Sequence, residues 1–298
     1  MKSHLSLRDA LLALAVVFVW GTNFVVIRLG LNALPPLFYA TLRFVFVLLP
    51  AILFLPRPKV AWSNLAIYGL CIGLLQFGPL FIAMKGQISP GLASLVIQMQ
   101  VFFTIALAMR RTGEKIKPHQ IAAFALAIAG MGVIAAHNGQ GATIAGVALV
   151  LLAAMGWAMG NQASREAGPV NMLAYVVWAA IFAVPPLFIL SLLMEGPAAI
   201  ASGVAHANWV TWATVLWQSV GNTLFGYTCW AWLLSRYPAA TVAPMSLLVP
   251  IFGFASSSLI LGESLQLWKI GAILLIMAGL AVNLLWRPRK AVLQGESS

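Results

Sequence analysis

The sequence predicts an all-α integral membrane protein of ten transmembrane helices, arranged as two inverted-topology five-helix repeats. Three observations predict it. Only 8% of the 298 residues are charged and 62% are hydrophobic, whereas a soluble domain carries about 25% charged residues. Apolar runs recur along the chain, each close to the ~20 residues a helix needs to cross the hydrocarbon core with its backbone hydrogen bonds satisfied internally. Glu114, Gly130 and Val133 recur as Glu263, Gly279 and Val282, each 149 positions on. Such a duplication matters because membrane carriers place their substrate at the joint between repeats.

Ten spans follow in order. The first, Ala10 to Leu31, comes after a short stretch with Lys2 and Arg8 and lacks a small-residue cleavage site, so it reads as a retained helix rather than a signal peptide. The second, Pro35 to Leu55, encloses Arg43. The third, Leu65 to Met84, carries Gly69, Gly73 and Gly78, which let backbones approach closely, and Pro79, which kinks a helix. The fourth, Gly91 to Met109, opens on the small residues Gly91, Ala93 and Ser94 and stops at Arg110-Arg111. The fifth runs from Ile121 to Ala136, the sixth from Ile144 to Ala163, and the seventh, with Pro185-Pro186, from Met172 to Met194. The eighth, Trp209 to Leu234, carries Gln218 and Asn222. The ninth, Ala239 to Leu261, contains Pro244 and Pro250, and the tenth is Leu267 to Trp286. These prolines read as tolerated kinks or as gates. The repeats are residues 1–137 and 142–287, and 288–298 form a cytoplasmic tail.

Charge sets the orientation. In a ten-span arrangement all but Arg28, Arg43, Lys85 and Lys269 of the 17 Lys and Arg fall on one side, and the positive-inside rule puts both termini in the cytoplasm. The net charge of +11 is thus a matter of topology, and nucleic acid is not an expected partner. Five spans per repeat place Glu114 inside and Glu263 outside, so the halves are inverted. Trp20 matches Trp157 at a spacing of 137; the loop from Glu195 to Asn208 absorbs the difference from 149.

A charge at the bilayer centre costs roughly 2.5–3.5 kcal/mol on insertion scales, so it faces a partner or a watery cavity. Arg43 is the clear case: its fork suits a carboxylate or phosphate, or it snorkels to a helix end. Arg28, Lys85 and Lys269 read as interfacial. Uncharged polar residues share helix faces: Trp20 with Asn23, Trp157 with Asn161, and Gln218 with Asn222 and Phe225 at i, i+4, i+7. They line a cavity or bind helices together by hydrogen bonds worth about 0.6 kcal/mol each. Gln98 and Gln100 point to different faces, so at most one meets substrate. Every Asp, Glu and His falls in a loop, a tail or at a helix end. Proton-driven carriers use a buried titrating group, so facilitated diffusion or exchange is expected. Cys71 and Cys229 lie in apolar runs without CxxC spacing or a nearby His, which supports neither a metal site nor a disulfide framework. No cofactor is expected.

In order along the chain, Val19-Trp-Gly-Thr-Asn-Phe-Val-Val-Ile-Arg28, Leu42-Arg43-Phe44, Gly91 to Gln100 and Val242 to Pro250, with Gly113-Glu114 and Gly262-Glu263 closing the fourth and ninth spans, resemble the EamA-type branch of the drug/metabolite transporter superfamily. The resemblance runs through Trp286. Through Pro56 to Lys59, Gln98-Met-Gln100 and Trp157 to Asn161, the chain is most similar to that branch's bacterial exporters of O-acetylserine and cysteine. The resemblance implies an inner-membrane carrier of small amino acids and related metabolites, working as a monomer or weak dimer. Its cavity is lined mainly by the third, fourth, eighth and ninth helices. That nominates Gln76, Phe77, Gln98, Trp217, Gln218, Asn222 and Ser246, with Trp20, Asn23, Trp157 and Asn161 behind them, beside Arg43. An intramembrane enzyme would need a nucleophile, acid–base pair or metal cluster, and the spans carry none. A channel would show a charged or carbonyl-lined filter. Nucleotide sugars or phosphorylated metabolites are the alternative cargo and would need several cations at the cavity.

Overall fold

A computed structural model describes residues 5–112, 116–237 and 239–285. Residues 1–4, Gly113-Glu114-Lys115, the end of the last span at Trp286 and the tail 288–298 lie outside the described residues. Among the described residues nine helices are long and apolar enough to cross a membrane: α1 Leu7–Gly30, α2 Pro36–Leu53, α3 Trp62–Met84, α4 Pro90–Arg111, α5 Pro118–Ala136, α6 Ile144–Glu166, α7 Met172–Met194, α9 Ala243–Leu261 and α10 Leu267–Leu285. Between α7 and α9 lies α8, a continuous helical run at 209–236 built from Trp209–Leu216, Trp217–Phe225 and Gly226–Arg236. It falls outside the nine because it buries Gln218, Ser219, Asn222 and Thr223 in its middle.

The helix starts follow local chemistry. Side-chain oxygens of Ser6, Thr143, Asn171 and Asn208 accept from the backbone N–H three residues on, satisfying donors that the first turn leaves free. Pro36, Pro90 and Pro118 stand in the first turn of α2, α4 and α5, where a missing N–H costs nothing. The loop from Glu195 to Asn208 holds a short helix, Pro197–Ala205. Outward-facing Leu259, Leu267 and Leu274 belong against lipid tails.

Loop contacts fix which helix ends lie together. Arg111 pairs with Glu166, and the Tyr237 hydroxyl donates to Asp9, at a basic end that also carries Arg57 and Arg236. At the opposite end Ser89 N–H donates to the Gly141 carbonyl at 2.7 Å. There Glu195 accepts from the N–H groups of Leu37 and Phe38 at 2.7 and 3.0 Å. The α8 run starts at Asn208 on that end and stops at Tyr237 on the basic end, so it traverses the bundle.

Packing shows the inversion directly. The helices α5 and α10 lie against each other at glycines of the repeat. A Cβ on Gly130 would stand 2.6 Å from Ile276 Cγ1, and one on Gly279 3.3 Å from the Ala127 nitrogen and 2.7 Å from the Ala123 carbonyl oxygen. From 127 to 130 the partner falls from 279 to 276, so these equivalent helices run antiparallel, as inverted copies must. Neighbours obey the same exchange: α1 packs on α9 and α8, while α6 packs on α4 and α3.

Departures from α geometry also come in matching pairs. Leu70–Phe77 in α3 and Trp217–Phe225 in α8 are wide π turns; Ile97–Met99 in α4 and Ala243–Leu247 at the start of α9 are tight 3₁₀ turns. Proline explains part of this, because its ring collides with the carbonyl four residues back. Pro79 follows the π turn of α3, and Pro250 frees the Ser246 carbonyl, which accepts from Gln98 Nε2 at 3.3 Å. Wide turns of this kind recur at functional sites.

Candidate functional site at the joint of the two halves

The four irregular turns meet α1, α2 and α6 deep in the bundle. A cavity of about 40 Å³ lies there, lined by Trp20, Asn23, Gln76, Phe77, Trp157, Asn222 and Tyr227 with apolar Ile97 and Val249. A buried water needs about 10–15 Å³ of such space, so this one holds a few waters. It is too small for a metabolite, which enters only when helices separate. Trp20 and Trp157, paired by the repeat, both reach this space. Trp20 Nε1 donates to the Asn222 carbonyl at 3.2 Å, and Gly226 leaves room for the indole: a Cβ there would stand 2.4 Å from Nε1.

Arg43 sits behind the cavity wall at 0% exposure. It does not snorkel. Nη1 donates to Gln218 Oε1 at 2.6 Å and Nη2 to Thr223 Oγ1 at 2.8 Å. Gln218 Nε2 passes the chain on to Asn23 Oδ1 at 2.7 Å, and Ser219 Oγ donates to the Arg43 carbonyl at 2.9 Å. With its carboxamide oxygen turned inward, as the surrounding donors require, Asn222 accepts from Nη2 at 2.8 Å and Nη1 at 3.2 Å. The guanidinium carbon lies 3.6 Å from the centre of the Phe77 ring, close enough for a cation–π attraction. No carboxylate among the described residues pairs with Arg43. Its Nε, and Gln76 Oε1 in the cavity wall, are buried without a hydrogen-bond partner. A buried charge without a counter-charge is costly unless another species supplies one.

The structure thus gathers Trp20, Asn23, Gln76, Phe77, Trp157 and Asn222 around one space, with Arg43 and Gln218 directly behind it. Other candidates fall elsewhere. Trp217 is 37% exposed on the surface of α8, since consecutive helix residues lie about a quarter-turn apart and do not share a face. Asn161 Nδ2 donates to Gln100 Oε1 at 3.2 Å, which ties α6 to α4 outside the cavity lining. Ser246 turns its hydroxyl back onto the Ala243 carbonyl at 2.7 Å and meets Gln98 only through its backbone. Lys269, expected at the interface, is 3% exposed and pairs with Glu263 at 2.9 Å. Ser219, Thr223 and Tyr227 escaped the sequence reading. Thr223 stands five residues after Gln218 and donates to the Gln218 carbonyl at 2.9 Å. A 3.6-residue period sends those two to different faces, whereas a π turn brings them together.

Comparison with known proteins agrees with this architecture. The EamA-like transporter family profile matches twice, at residues 7–136 and 144–285. A protein of Salmonella typhimurium described as "Probable amino-acid metabolite efflux pump" is 43% identical over 285 residues, covering 94% of this chain and 95% of that protein. Its namesake in Escherichia coli is 42% identical over 299 residues, covering 98% and 100%. An "Uncharacterized inner membrane transporter YedA" of Escherichia coli is 30% identical over 58% of each chain. One solved crystal structure superposes with a TM-score of 0.62 at 18% identity, covering 93% of this chain and 96% of that one, which establishes a shared fold. The chain belongs to the EamA-like transporter family and is an integral membrane transporter.

Proposed function

We propose that the protein exports small amino-acid metabolites, such as cysteine or O-acetylserine, across the bacterial inner membrane by alternating access, with α8 as a tenth crossing and both termini in the cytoplasm. The observation that carries this reading is Arg43, a buried cation held by neutral Gln218, Thr223 and Asn222. A substrate carboxylate drawn to the central cavity supplies the missing negative charge. The carboxamides of Asn23, Gln76 and Asn222 and the indoles of Trp20 and Trp157 give a neutral polar wall suited to the rest of a zwitterion. The relatives' printed description as amino-acid metabolite efflux pumps supports the same class. A phosphorylated cargo would call for several cations, and among the described residues Arg43 alone backs this cavity.

No carboxylate or imidazole among the described residues lines the cavity. Transport is therefore expected to continue in purified liposomes when an uncoupler collapses the proton gradient. A counterflow screen of radiolabelled amino acids, thiols and sugar phosphates tests the cargo: uptake limited to small amino acids supports the proposal, and uptake of sugar phosphates alone overturns it. Labelling of a terminal cysteine from outside intact cells would contradict the orientation.

A further inference from the structure

Glu263 stands where α9 hands over to α10, far from the central cavity, and the transport site described above does not use it. Gly262, at φ +68°, closes α9 in the left-handed conformation open to glycine and turns Glu263 back into the protein. Its carboxylate accepts four hydrogen bonds. Ser89 Oγ at 2.5 Å and Gly91 N–H at 3.1 Å come from the start of α4 in the first half. Ser257 Oγ at 2.5 Å and Lys269 Nζ at 2.9 Å come from the second half. Lys269 Nζ also donates to the Ser264 carbonyl at 3.0 Å. Gly91 is required by the approach, since a Cβ there would lie 2.9 Å from Glu263 Oε2.

Above this cluster opens a vestibule of about 480 Å³ that Arg28, Asn32, Ser89, Thr143, Ser257 and Glu263 help to line. Below it α4 and α9 descend to Ile97 and Val249 at the central cavity. Between the two levels the helices pack closely: a Cβ on Gly253 would fall 2.2 Å from Ser94 Oγ. This α4–α9 seam lies between the central cavity and the vestibule, and Glu263 holds it at its rim.

We propose that Glu263 is a tether between the two halves, and that letting go of Ser89 and Gly91 is the step that opens the central cavity at this end. The two donors of the first half must leave the carboxylate whenever α4 and α9 part, while Ser257 and Lys269 stay with it. Water in the vestibule then takes the place of the lost partners, so the opening is reversible. Burial alone would raise the Glu263 carboxyl, but hydrogen bonds from Ser257, Ser89 and Lys269 and the Lys269 charge hold it below the usual carboxylate value, and the tether stays charged.

The proposal rests on the carrier reading and is tested apart from it. With Cys71 and Cys229 replaced by alanine, Val249→Cys serves as reporter at the cavity, and labelling by a membrane-impermeant maleimide is measured in vesicles. Lys85→Cys, on the same end, identifies the side of the vesicle that this end faces. Ser89→Ala removes a donor across the halves and Ser257→Ala one within a half. The expected result is labelling of the reporter from that side rising roughly tenfold with Ser89→Ala, the shift from losing one hydrogen bond to a charged group, and staying at the wild-type rate with Ser257→Ala. A residue that merely caps a helix responds equally to both changes. Equal labelling in the two variants, raised or not, overturns the tether whatever the counterflow screen shows.

Discussion

Arg43 and Lys269 are both buried cations of this chain, and they are housed in opposite ways. Lys269 meets the Glu263 carboxylate at 2.9 Å, whereas the guanidinium of Arg43 meets two carboxamides and a hydroxyl. Among the described residues the first charge has a carboxylate counter-charge and the second has none. On the proposed function, the difference separates a structural ion pair from a charge kept available for cargo. Depth matters as well, because Lys269 lies beside the open vestibule while Arg43 lies midway along a membrane helix, where an uncompensated charge is dearer.

The contrast breaks first at its structural pole. Lys269→Met strands the Glu263 carboxylate and is expected to destabilise the protein by about 3 kcal/mol, the low end for a broken buried pair, seen as a lowered unfolding temperature in detergent. The double change Lys269→Met with Glu263→Gln should recover most of it. At the other pole, Arg43→Gln is expected to cut flux on the order of 100-fold at normal membrane insertion while costing under ~1 kcal/mol of stability, since it removes a charge with no carboxylate partner among the described residues and keeps a carboxamide for the neighbouring polar groups. Flux at the wild-type level would remove Arg43 from the transport site. Gly130→Leu drives a side chain into Ile276 and should cost about 1–3 kcal/mol by overpacking the α5–α10 contact, again read from unfolding.

Acid sharpens the Glu263 pole. Folding holds this carboxyl below its ordinary value of 4.5, so its contribution is complete above that value and fades as the pH falls through the folded one. The stability gap between the wild type and Glu263→Gln should stay level from neutral pH to about 5 and narrow below it. A gap that narrows near neutral pH would contradict the assignment. The smallest effect is expected for Trp217→Leu, within ~0.5 kcal/mol and with unchanged flux, because its ring faces outward.

Much of this was legible in the chain. The spacing of 149 that joins Gly130 to Gly279 reappears as their antiparallel contact, since a glycine kept at one place in each copy marks where the copies touch. Arg43, Gln76 and Asn222 stood out because polar groups in apolar spans need a reason. What stayed hidden depends on departures from regular helix. Thr223 reaches Arg43 through a π turn that no 3.6-residue period reveals. Ser246 offers a carbonyl that Pro250 liberates, although its hydroxyl had drawn attention. Trp217 stands next to Gln218 in the chain but is turned about a quarter of the way round the helix, to the surface. Lys269 lay near a span end, and only the folded chain shows that Glu263 reaches back to it.

The most direct test of the uncompensated charge is counterflow of one transported amino acid against its carboxamide, which lacks the acidic group, in the wild type and in Arg43→Gln. The account predicts that the wild type prefers the acid at least about tenfold, the worth of one charge-assisted contact, and that Arg43→Gln loses the preference. The same preference in both proteins would contradict it.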